Sequence, residues 1–147
     1  MRKMFTLKGV DECGKSEKIK DLANWIITNY PHHINHGVNT ANGDIFGVLE
    51  INKLKIGFVS AGDNLKEVLR NDELLDKFPD IDILINSCRT KGPSRTHFKN
   101  NYHYCTNWLT NFIIIQKFKP TNRPLELARD TRIQLELQTW LTGLEKL

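Results

Sequence analysis

Cysteine is scarce: Cys13, Cys88 and Cys105 are the only three in 147 residues. They are widely spaced and form no C-x-x-C pair, which argues against a disulfide framework and against a zinc knuckle. Long apolar runs are missing, none approaching the ~20 residues of a membrane span. The apolar stretch after Arg2 and Lys3 is too short for a signal peptide, so a cytoplasmic protein with no membrane partner is the expectation. RGG tracts, zinc-finger patterns, aromatic RNP motifs, repeats and low-complexity tracts are all absent from the sequence. A net charge of +4 and a pI near 9.0 suit anionic ligands but are too mild to require nucleic acid, which is not the expected partner. What remains is ordinary for one globular domain, with 39% hydrophobic and 26% charged residues.

Against that plain background stands Gly9-Val10-Asp11-Glu12-Cys13-Gly14-Lys15-Ser16, a complete match to G-x-x-x-x-G-K-[ST]. It follows the apolar run Met4-Phe5-Thr6-Leu7 and precedes a stretch with Ile19, Leu22, Ala23, Ile26 and Ile27 at helical spacing, so it reads as a strand–loop–helix phosphate site. Gly9 and Gly14 allow the backbone N–H groups from Gly9 through Ser16 to converge on one anion. The helix from Lys15 to Asn29 adds the positive end of its dipole. Lys15 is expected to face solvent and meet the β- and γ-phosphates of a nucleoside triphosphate, and Ser16 to ligate Mg²⁺. Positive potential in the loop would lower the Cys13 thiol pKa; the alternative is a small residue filling a small slot.

Residues 5–16, together with Leu22-Ala23-Asn24-Trp25-Ile26, resemble the opening of thymidylate kinases over about the first 27 residues. The resemblance implies that Asp11 orients an acceptor hydroxyl. Glu12 stands where that family has glycine, and no Asp-Arg-Tyr segment or arginine-rich lid follows.

Further along, residues 45–51 and 54–60 flank Asn52-Lys53 as a hairpin that returns its second strand to the P-loop. At its end Asp63 has two readings, a Mg²⁺ carboxylate or, with Asn64, the cap of a helix carrying Leu65, Val68, Leu69 and Leu75. His32, His33 and His36 fall in a segment that reads as a loop or as a loop with a short strand, without a recognised zinc pattern. Residues 81–86 read as a strand buried on both faces. The loop 87–96 after it carries Arg89, Lys91 and Arg95, positioned for charge on a transferring phosphoryl group or for an anionic acceptor, with Ser94 or Thr96 capping a helix over 96–109. A strand over 111–117 leads to Asn122 and Arg123, candidates for the base, and to a closing helix over 125–144 with Ile133, Leu137, Trp140, Leu141 and Leu144 on one stripe. Leu135 falls off that stripe, either exposed or at a subunit contact.

The expected fold is α/β, a three-layer P-loop sandwich whose mostly parallel sheet has one hairpin-derived antiparallel strand. The hairpin followed by Gly-Asp also resembles the strand order of small GTPases. The guanine-reading Asn-Lys-x-Asp is absent, the position holding Asn86-Ser87-Cys88-Arg89, so the expectation is an adenine nucleotide, ATP, or poor base selectivity. Candidate catalytic groups are Lys15, Asp11 and Arg89. Three functions fit: ATP hydrolysis or switching, phosphoryl transfer to a small acceptor, and a non-catalytic nucleotide-binding module in a larger assembly.

Overall fold

The computed structural model describes residues 1–10, 13–41 and 43–145. In chain order these form β1 (Arg2–Lys8), α1 (Lys15–Asn29), β2 (Ile34–His36), β3 (Phe46–Ile51), β4 (Leu54–Val59), α2 (Leu65–Val68), α3 (Arg70–Lys77), β5 (Ile83–Cys88), α4 (Pro93–Asn101), β6 (Trp108–Ile114) and α5 (Arg123–Glu145). The strands make one α/β sheet of six in the order β2-β3-β4-β5-β1-β6. β4, β5, β1 and β6 are parallel, while β3 runs against both of its neighbours.

The alternation in β1 sends its side chains to two cores. Phe5 and Leu7 meet Ile19, Leu22 and Ile26 of α1 and Ile133, Leu137 and Leu141 of α5. Met4 faces the other way, toward Val68 of α2, Leu74 of α3 and Phe98 of α4. Each such fully buried side chain contributes about 1.5–3 kcal/mol of transfer free energy. β5 is buried along its whole length, as a central parallel strand must be.

The hairpin turn places Asn52 and Lys53 both in the left-handed region, at φ 47° and 70°, the type I′ geometry that matches strand twist. Elsewhere the structure differs from the sequence reading for identifiable reasons. Gly92 at φ 94° followed by Pro93 starts α4 three residues before the expected Thr96, because proline suits a first helical turn. That helix stops at Asn101, and a 3₁₀ turn at Tyr104–Thr106 followed by Asn107 at φ 68° turns the chain into β6. Trp108 and Leu109, expected in the helix, therefore open the strand. The helix after Asn64 is broken at Leu69, where the buried Asn71 amide donates to the Val68 carbonyl at 2.9 Å. Asn71 in turn accepts from Asn86, which accepts from Thr6, so a buried polar chain ties β1 and β5 to the α2–α3 junction. Trp140, expected in the core stripe, is 41% exposed yet packs edge-on against Phe5; Leu135 is exposed. No helix among the described residues is long and apolar enough to cross a membrane.

Candidate phosphate site at the end of the sheet

The C-terminal ends of β1, β4 and β5 converge. Gly9 donates its N–H to the Cys88 carbonyl at 3.2 Å, and Ser87 Oγ donates to the Ser60 carbonyl at 2.7 Å. Gly14 follows in the left-handed region at φ 94° and starts α1 without a side-chain cap, so its position favours glycine. Around this turn lies a cavity of about 180 Å³ lined by Gly14, Lys15, Ser16, Asp44, Gly62 and Asp63 among others.

Lys15 does not face solvent as expected. It is 6% exposed, with Nζ donating to the Gly9 carbonyl at 2.7 Å and to Asp63 Oδ1 at 2.9 Å. The ammonium is thus held at the mouth of the loop by acceptors that a phosphate would have to replace. Asn64, not Asp63, caps α2, accepting from the Glu67 N–H at 2.9 Å, which leaves the Asp63 carboxylate available to the cavity. Of the two readings of Cys13 the small-slot one agrees with the structure: burial pushes its thiol pKa up, against the lowering effect of Lys15 and Arg129. It fills the small slot against Gly9, where an added Cβ would lie 2.4 Å from the Cys13 sulfur.

Ser16 Oγ donates to Asp44 Oδ1 at 3.1 Å and approaches the Ser60 carbonyl at 3.3 Å. Asp44 also accepts from Ser60 Oγ at 3.1 Å. Sequence reading missed Asp44, although the signal lay in the hairpin: Phe46 pairs with Val59, so the residues just before β3 must meet those just after β4. Ser16, Asp44 and Asp63 offer only hard oxygens, the set that suits Mg²⁺, which takes one or two carboxylates and completes its shell with phosphate and water. No group of three or more His, Cys, Asp or Glu residues that could hold a metal occurs among the described residues; His36 instead pairs with Glu50 at 3.2 Å.

A second cavity of about 600 Å³ meets the first at Cys13, Gly14 and Glu17 and extends to Lys117, Phe118, Thr121, Arg123 and Arg129. Arg123 thus lines it, whereas Asn122 caps α5 through the Leu125 N–H at 3.2 Å. Val10 is exposed. Asp11 and Glu12 lie outside the described residues. Arg89, Lys91 and Arg95 line neither cavity; Arg89 gives its backbone N–H to Ser94 Oγ at 3.2 Å, which makes Ser94 a brace for the loop rather than the expected cap. Burial raises the Cys88 thiol, to about 11 after the opposing charges of Lys15, Lys8 and, least, Arg95 are included.

Comparison with family models, with curated proteins and with solved structures gives no match.

If the capping and cavity roles are divided as described, Asn64→Ala should cost about 1 kcal/mol of stability in a denaturant melt. Asp63→Asn leaves that cap in place but takes the counter-ion from buried Lys15, so its stability loss should vanish in a Lys15→Met background, and it should weaken the Mg²⁺ dependence of nucleotide binding in titration calorimetry. An Asn64→Ala melt unchanged from wild type would return the cap to Asp63.

Proposed function

We propose that the chain binds a nucleoside triphosphate, ATP foremost, as a P-loop protein built on a three-layer sandwich, and turns it over with Mg²⁺. The observation that carries this reading is Lys15, buried at a glycine turn between β1 and α1 with Asp63 as its counter-ion, beside the Ser16 hydroxyl. A buried ammonium paired with a half-exposed carboxylate can exchange that partner for a phosphate oxygen. The β- and γ-phosphates would occupy the smaller cavity, and the nucleoside the larger one, whose wall includes Arg123 and Phe118, the latter with the Arg129 guanidinium over its ring at 5.8 Å. Ser16, Asp44 and Asp63 would hold Mg²⁺, whose charge supports the phosphates. Lys15 would stabilise charge on the transferring phosphoryl group.

A second reading, phosphoryl transfer to a small anionic acceptor as in thymidylate kinases, draws support from the basic loop of Arg89, Lys91 and Arg95 after β5, with Arg89 first because it directly follows the strand end. In it Asp11 orients the acceptor hydroxyl. The two readings separate in one assay set: phosphate release from ATP, and transfer to a panel of nucleosides and monophosphates. Hydrolysis without transfer supports the NTPase, and transfer supports the kinase. ATP binding with neither activity would overturn both in favour of a non-catalytic module.

A further inference from the structure

Behind the glycine turn sit two cations that the P-loop pattern does not include. Lys18 and Arg129 are 4% and 8% exposed, on α1 and α5 respectively, and both line the larger cavity. They share one carboxylate: Lys18 Nζ lies 2.9 Å from Asp130 Oδ1, and Arg129 Nη2 2.8 Å from the same atom. Arg129 also donates from Nε to Asp130 and from Nη1 to the Gln116 carbonyl. An ammonium has three N–H donors and a guanidinium five, so both keep donors that no described protein acceptor takes. Glu17 and Asp21 line the same cavity, and Asp21 feels the Lys18 charge, so the pair has further counter-charge nearby; what it offers an anion is its unused donors, which are costly to leave unpaired in a buried site.

The cluster lies against the phosphate loop. A Cβ built on Gly14 would stand 3.1 Å from Lys18 Nζ and 4.0 Å from Arg129 Nη2. An anion taken by these donors would lie beside Gly14, where the two cavities meet, and not at Lys15.

We propose that Lys18 and Arg129 form a second anion-binding pair that takes the phosphate nearest the nucleoside, while Lys15 serves the distal phosphates. The proposal rests on the nucleotide reading above and adds to it the residues that recognise a nucleoside diphosphate as well as a triphosphate. Asp130 is then a placeholder that competes with this phosphate for the two cations.

The test is titration calorimetry with ADP and ATP, each with Mg²⁺, on wild type, Arg129→Lys, Lys18→Gln and Asp130→Asn, with ligand-free thermal midpoints reporting folding. Arg129→Lys keeps the charge but loses the planar fork. Arg129→Lys and Lys18→Gln should each weaken ADP and ATP by the same factor, about tenfold or more. Asp130→Asn should bind both at least as tightly as wild type, because the competing carboxylate is gone. A merely structural ion-pair cluster predicts instead that Asp130→Asn weakens binding as the other two do, and that result overturns the proposal. So does unchanged ADP affinity in a folded Arg129→Lys or Lys18→Gln. Failure of wild type to bind either nucleotide overturns the nucleotide reading itself, a different outcome from wild-type binding that the variants leave untouched.

Discussion

ATP with Mg²⁺ at a hundredfold excess over Kd is expected to stabilise the protein by about 2.7 kcal/mol, the linkage gain for a ligand that binds only the folded state. Lys15→Met should remove nearly all of that gain. The methionine replaces most of the buried stem but none of the charge, so the ligand loses its main cation while the loop keeps its packing. The ligand-free protein will also change. Gly9 loses the 2.7 Å donor to its carbonyl, which should cost about 1–3 kcal/mol. The informative quantity is accordingly the difference between melts with and without ATP, measured on each protein. An undiminished difference in Lys15→Met would remove Lys15 from the site.

The second large effect is expected at Gly62. A Cβ there would lie 1.9 Å from the Ser87 carbonyl oxygen, a backbone atom that cannot turn aside as a side chain does. Gly62→Ala must push the ends of β4 and β5 apart, breaking the Ser87–Ser60 bond and displacing Asp63 from Lys15. A loss of about 3 kcal/mol, at the upper end for overpacking, should appear as a lower denaturant midpoint. Gly143→Ala is the control. Its Cβ would meet nothing within 4 Å, and alanine in a helix interior should add up to about 1 kcal/mol. If Gly62→Ala is as mild as Gly143→Ala, the close approach of the two strand ends is wrong.

Much of the frame was legible because its signals are local. The α1 boundaries, Lys15 to Asn29, follow from Gly14 at one end and Pro31 at the other, and the β3–β4 turn from Asn52-Lys53. Periodicity also located Ile133, Leu137 and Leu141 in the core. The misplaced boundaries lie where short elements abut: Gly92-Pro93 reads equally as loop or helix start, and Trp108 suits a helix face as well as an edge strand. Strand order was not legible, since β5 enters the sheet between β1 and β4 through pairing no local pattern encodes. The site divides in the same way. The glycine turn with Lys15 and Ser16 is contiguous in the chain and could be read. Asp44 comes from the hairpin's mouth and Arg129 from α5, more than a hundred residues from the loop it backs, so only the fold brings them there. The burial of Lys15 was missed because its counter-ion is Asp63, 48 positions away in the chain.

Where a triphosphate sits decides the matter. A structure solved with Mg²⁺ and a non-hydrolysable ATP analogue should show the β- and γ-phosphates within hydrogen-bond reach of Lys15 Nζ, with the 2.9 Å Lys15–Asp63 contact broken and the base beside Phe118. A triphosphate bound away from the Gly9–Ser16 turn, or an intact Lys15–Asp63 pair with nucleotide present, would contradict it.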